Sequence, residues 1–118
     1  MSQVVSINPE QFEDKVTNAK GLKLVDFYAE WCGPCKVMDP VMDQLQVDLE
    51  GKVDILKINV DNYPEIPARY AVRGMPTLMV FKDGHPEDVI IGAQSYKALR
   101  EKLDKHLMQM RDIIPQTN

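Results

Sequence analysis

Two runs of this chain, Leu22–Ala29 and Val53–Val60, place apolar residues on both faces of an extended backbone. A strand with one face in water alternates apolar and polar side chains, whereas a strand that does not alternate has to be covered on both sides. The chain therefore needs a sheet between helical layers, with these two strands inside it. The flanking segments supply the helices. Asn8 is placed to cap the first, with Pro9 at its first position, Gln11 at the capping-box site, and Phe12, Val16 and Ala19 on one face as far as Gly21. Met38, Val41, Met42, Leu45 and Leu49 recur at helical spacing between a start near Pro34 and a stop at Gly51, with Pro40 expected to kink the helix. Residues 66–71 allow at most a short helix. Thr77–Lys82 and Glu87–Gly92 read as strands joined by the hairpin signal Asp83-Gly84. Ser95 can cap a last helix, with Tyr96, Leu99, Leu103 and Leu107 inward.

With Val4–Ile7 as a short first strand, the order is β-α-β-α-β-α-β-β-α. This is an α/β domain with a mixed sheet, parallel where helices cross over and antiparallel in the late hairpin. The domain is expected to span residues 1–107. Residues 108–118, ending in Pro115-Gln116-Thr117-Asn118, read as a tail that frays.

Length and charge narrow the functions. A chain of 118 residues can bury a core without metal or disulfide staples. The net charge of −4, with no run of Lys and Arg, speaks against nucleic acid. No stretch approaches the roughly 18 consecutive apolar residues of a membrane span. Met1-Ser2-Gln3-Val4-Val5 lacks the basic and apolar regions of a secretory signal, which points to the cytoplasm.

Cys32 and Cys35 are the only cysteines. In a reducing compartment, paired thiols are more often catalytic or metal-binding than structural. The pair follows a buried strand and opens a helix. Free N–H groups and the helix dipole there favour negative charge, so the Cys32 thiol should ionise below its free value of about 8.5. Pro34 suits a first turn, Gly33 leaves room for close approach, and Cys35 lies one turn deeper on the same side. Cys32 is then the exposed nucleophile and Cys35 the resolving thiol. Three other readings compete. A structural disulfide closing so short a loop would stabilise by only about 2 kcal/mol. A zinc site needs four ligands, and His85 and His106 lack the spacing to complete one and read as plain surface, so no metal is expected. Two inert thiols are the third.

Asp26 is the only charge in its strand beyond the exposed start. Burial would raise its pKa and suit it to accept a proton from Cys35. Lys57 is similarly placed in Ile55-Leu56-Lys57-Ile58, on a strand expected beside that of Asp26. An ion pair that only joins the two strands accounts for these residues equally well.

The segment Val25-Asp26-Phe27-Tyr28-Ala29-Glu30-Trp31-Cys32-Gly33-Pro34-Cys35-Lys36 resembles the active-site segment of the thioredoxin family. So do Pro40, Lys57, Asp61, Arg73-Gly74-Met75-Pro76-Thr77, Phe81-Lys82-Asp83-Gly84 and Gly92. The resemblance covers about residues 3 to 107. It implies the thioredoxin fold, a five-stranded mixed sheet in the order 1-3-2-4-5 flanked by four helices, and a cis peptide bond between Met75 and Pro76. It also implies a protein-disulfide reductase that works by dithiol–disulfide exchange through a mixed disulfide. Asp26, through water, and Lys57 would serve the proton transfer. An NADPH-dependent thioredoxin reductase would recharge the pair. The chain has no G-x-G-x-x-G fingerprint, so its electrons must come from a partner and no cofactor of its own is implied.

By the same resemblance, Trp31, Gly33, Pro34, Met75, Pro76, Ile91, Gly92 and Ala93 form a flat apolar rim for disulfide-containing protein substrates. The Met75 backbone would pair with an extended substrate segment. The protein would act as a monomer. Some positions depart from the pattern. Tyr28 stands where a tryptophan is frequent, Met75 replaces a branched aliphatic residue, and Asp39 precedes Pro40 where small or apolar residues are common. Like-charge proximity places Asp39 to raise the thiol pKa modestly. An oxidant or isomerase of the secretory route is the same fold run in reverse, and Gly33-Pro34 speaks against it. A structural or chaperone role using the rim alone is the non-enzymatic alternative.

Overall fold

The structure, a computed structural model, describes residues 3–113, with the backbone alone for 111–113. Its strands are β1 (Val5–Ser6), β2 (Leu22–Tyr28), β3 (Val53–Asn59), β4 (Thr77–Lys82) and β5 (His85–Ile91). Its helices are α1 (Pro9–Phe12), α2 (Gly33–Asp48), α3 (Glu65–Arg69) and α4 (Tyr96–Ile113). The strands form one sheet in the order β1-β3-β2-β4-β5, as the resemblance implies. β3 runs parallel to both β1 and β2, and β4 runs antiparallel to β2 and β5.

The two non-alternating strands lie where their composition demands. In β2, Leu22 and Leu24 join a core with Met38, Met42, Leu45 and Leu49 of the α2 segment and Leu99 and Leu103 of α4. Val25 and Phe27 face the other way, into a core with Phe12 of α1, Val16 and Ile66 of α3. Even and odd positions of one strand thus feed two cores, and a helix pair covers each face.

Local chemistry sets the boundaries. The Asn8 side chain accepts the Gln11 N–H at 2.8 Å, and the Gln11 side chain accepts the Asn8 N–H at 2.9 Å, closing the predicted capping box. The helix then widens. Residues Glu13–Thr17 are π-helical, and the Asn18 N–H reaches the Glu13 carbonyl at 2.8 Å. The expected continuation of this helix to Gly21 is not seen. The Ser95 hydroxyl accepts the Ala98 N–H at 3.1 Å at the start of α4, which continues past Leu107 to Ile113. The first part of the tail predicted over 108–118 is thus helical, and the rest of it, residues 114–118, lies outside the described residues.

The β4–β5 hairpin turns through Asp83 and Gly84 with φ of 50° and 86°, the pair of positive values a two-residue hairpin needs. A side chain at Gly84 is excluded for a second reason: its Cβ would lie 2.1 Å from the Thr17 carbonyl oxygen. β5 starts at His85, two positions before the predicted Glu87, with a register shift between Val80 and Phe81 opposite Pro86. An irregular edge strand accommodates a proline that lacks an N–H.

Candidate active site

β2, β4 and β5 bring the predicted residues to one end of the sheet. Phe27 of β2 pairs with Thr77 at the start of β4, and Thr77 pairs with Ile91 at the end of β5. The segment after β2 carries Trp31 and Cys32, the segment before β4 carries Met75 and Pro76, and the segment after β5 carries Gly92 and Ala93.

Cys32 is the N-cap of α2, with φ −89° and ψ 107°, and its Sγ accepts the Cys35 N–H at 3.1 Å. The sulfur therefore occupies the place where an anion is stabilised by free N–H groups and the helix dipole. Cys32 and Cys35 form a disulfide, with their Cα atoms 5.3 Å apart. That bond removes the reading of two inert thiols. The expected exposure of Cys32 is corrected: it is 3% exposed and Cys35 2%, because both pack in the core cluster with Phe27, Ala29 and Ile66. Position at the helix start, not exposure, distinguishes them in this disulfide form.

The predicted rim residues differ in exposure. Gly33, Pro34 and Ala93 are exposed, Ile91 is 69% exposed and Trp31 70%. Met75 and Gly92 are half-buried, and Met75 packs against the core that contains the two cysteines. Pro76 is a correction, since its ring is buried and adds no exposed apolar surface. It contributes through its backbone. The Met75–Pro76 peptide is cis, and the Pro76 carbonyl accepts the Gly92 N–H at 2.9 Å, tying the segment before β4 to the end of β5. The Thr77 hydroxyl donates to the Gly74 carbonyl at 2.6 Å.

Sequence reasoning missed two supports. The Trp31 indole N–H donates to Asp61 Oδ2 at 2.8 Å. Asp61 is positioned in turn by buried Asn59, whose Oδ1 accepts the N–H groups of Asp61 at 2.9 Å and Asn62 at 3.1 Å. An Asn two residues before an Asp at a strand end was the available signal, since such side chains accept from backbone just ahead. Val37, 67% exposed on α2, is an apolar residue off the inward stripe of Met38 and Met42. His106 is also corrected. It is largely buried and lies 3.1 Å from Asp88 Oδ2, not on plain surface.

Asp26 is fully buried on the face of β2 that bears Leu22 and Leu24, and neither carboxylate oxygen has a hydrogen-bond partner among the described residues. Burial pushes its carboxyl up to about 7; the Asp39 carboxylate adds to the rise and the Lys57 ammonium opposes it. Lys57 stands directly opposite Asp26 in the β2–β3 register. The strand-joining ion pair between them is nonetheless absent. The Lys57 Nζ lies 3.6 Å from Asp39 Oδ1 and 4.9 Å over the Tyr28 ring. The Tyr28 hydroxyl is 2.7 Å from Ser6 Oγ, which fixes that ring against β1.

A cleft of about 290 Å³ brings Cys35 together with Asp39, Lys57 and Tyr28, with Ala29, Glu30 and Lys36 also on its wall; Asp26 is not part of that lining. A larger concavity, about 680 Å³, lies at the opposite end of the sheet among Lys23, Gly51, Val53 and Asp54 and contains none of the predicted site residues.

Among known proteins, the Thioredoxin family profile matches residues 3–105 of this chain. The chain belongs to the thioredoxin family. It is 50% identical over 104 residues to the thioredoxins of Staphylococcus aureus strains MW2, N315 and COL, an overlap of 88% of this chain and 98% of each relative. Thioredoxin-family proteins are thiol–disulfide oxidoreductases, and this chain, with its bridged Cys32 and Cys35, is one of the protein-disulfide reductase type. No described helix of this thioredoxin-family chain is long and apolar enough to cross a membrane.

Proposed function

We propose that this chain reduces disulfides in other proteins through Cys32 and Cys35 and is recharged by an NADPH-dependent thioredoxin reductase. The observation that carries this reading is the Cys32–Cys35 bridge at the N-terminus of α2, with Cys32 as the cap. In the reduced protein, the Cys32 thiolate attacks one sulfur of a substrate disulfide. A Cys32–substrate bond forms, the substrate S–S bond breaks, and the other substrate sulfur leaves as a thiolate. Cys35 then gives its proton to Asp26 through water. Its thiolate attacks Cys32 Sγ, expels the second substrate sulfur and closes the Cys32–Cys35 disulfide. Two electrons pass to the substrate, and the reductase returns two to the pair.

Asp26 suits the proton transfer because its carboxyl titrates near neutral pH, where an acceptor is most effective. Lys57, on the cleft with Cys35, tempers that rise with its positive charge and so keeps the carboxyl titrating near neutral pH instead of higher. Trp31, Gly33, Pro34, Met75, Ile91, Gly92 and Ala93, tied together through Pro76, offer the surface for a substrate segment, with the Met75 backbone as the pairing edge. Backbone pairing carries little sequence information, which fits a reductase with many targets. The reading sets the protein in the cytoplasm as a monomer, where both its cysteines serve one redox pair.

Insulin-disulfide reduction tests it. Catalysis above the background rate is expected with dithiothreitol, and again with NADPH and a thioredoxin reductase in its place. No acceleration in either assay overturns the reading; acceleration with dithiothreitol alone overturns the choice of reductase.

A further inference from the structure

We infer that Asp39 is a positioning residue for the resolving step: it holds the Lys57 ammonium away from Asp26 and so keeps the buried carboxyl basic enough to take the Cys35 proton. This rests on Asp26 being the proton acceptor proposed above.

The geometry is a competition of two carboxylates for one ammonium. Asp26 and Lys57 are register partners on adjacent parallel strands. An unpartnered buried carboxylate would gain more from that cation than a half-exposed one in water does. Lys57 nevertheless turns to Asp39, 3.6 Å away, where the two side chains are 23% and 46% exposed. Both ions stay partly hydrated there, so their pairing avoids the desolvation that a buried pair with Asp26 would demand. The Tyr28 ring, 4.9 Å from Nζ, supports the ammonium in that position.

The surroundings of Asp26 leave few other actors. α2 contributes Asp39 and β3 contributes Lys57, while β4 sets apolar Leu78 opposite it. Glu30 and Lys36, of opposite charge, line the same cleft with Cys35. Asp39 therefore acts on Asp26 by withholding the cation and by its own negative charge, and both effects hold the proton on the carboxyl.

The test follows Asp26 itself. Its titration is read by carboxyl-carbon NMR in the oxidised protein, where no thiol ionises. Release of a mixed disulfide is followed across pH 5.5–8.5 by stopped flow. Asp39→Asn, nearly isosteric and at a half-exposed position, is expected to lower the Asp26 midpoint by about one unit. The acid limb of the release profile should move with it, and the plateau rate should fall about threefold as the base weakens. Asp39→Glu should restore both. In a Lys57→Met background the shift caused by Asp39→Asn should shrink, because no ammonium remains to be released; an equal shift overturns the claim that Asp39 works through the lysine. An unmoved midpoint in folded Asp39→Asn overturns the inference alone, provided that Asp26→Asn still slows release. Unslowed release in Asp26→Asn overturns the acceptor reading and this inference with it.

Discussion

The Trp31 indole N–H donates to the Asp61 carboxylate at 2.8 Å, joining residues thirty positions apart. Trp31 is the only tryptophan, so the indole emission comes from this side chain alone. Asp61→Ala should change the emission of Trp31 in the oxidised protein and leave the ring free to rotate. Ordering one large side chain on binding costs about 0.5–1.5 kcal/mol, so KM for a protein disulfide should rise about twofold to tenfold. Because the contact is exposed, stability should change by less than about 1 kcal/mol. An unchanged emission spectrum would remove the anchor.

Asp26 predicts a stability that falls as pH rises. Its folded carboxyl titrates near 7, against an ordinary value of 3.8. Below pH 4 both folded and unfolded chains hold the proton, and the residue has little effect. Between pH 4 and 7 the unfolded chain releases the proton while the folded chain keeps it, so stability is progressively lost. Above pH 7 the loss reaches about 4 kcal/mol, set by the separation of the two values. Asp26→Ala should therefore be more stable than the parent at pH 8, by about 2–4 kcal/mol once the small void is included, and should show little gain at pH 4. Denaturant unfolding of the oxidised proteins at the two pH values decides it; a pH-independent difference would contradict the titration.

Gly84 is the tightest backbone approach in the hairpin. An alanine there would need φ near 86° and would press its Cβ against the Thr17 carbonyl. Gly84→Ala should destabilise by at least about 2 kcal/mol through strain and displacement of the π-helical turn. Loss of amide protection around Thr17, read by hydrogen exchange, should accompany the drop in unfolding midpoint. A neutral Gly84→Ala would show that the turn and the Thr17 backbone separate freely.

What could be read in advance follows the range of the interactions. The refusal of Leu22–Ala29 to alternate announces its two covered faces, and the Asn8–Gln11 box and the Asp83-Gly84 turn are short-range chemistry visible in a few letters. The placement of Cys32 at the start of a helix was equally local. The widened turn at Glu13–Thr17 was not, because Phe12 and Val16 keep the same spacing in either kind of helix. β5 begins early because an edge strand tolerates Pro86, which a pattern reader takes for loop. The partner of Lys57 was hidden for a different reason. Its neighbour in register is Asp26, but the choice of Asp39 depends on the hydration left at the cleft and on a carboxylate presented by α2. The same holds for Pro76, whose burial is a property of three chain segments meeting.

The sheet's two margins carry a consequence for behaviour in a crowded solution. β1 offers a newcomer only Val5 and Ser6, too short a template for another strand. β5 is longer, but Pro86 has no N–H to give, and the shift at Val80 and Phe81 breaks the even ladder beside it. Glu87 and Asp88 would meet their own likenesses if two such margins were laid together. The sheet thus presents no long, even backbone margin onto which another strand could zipper.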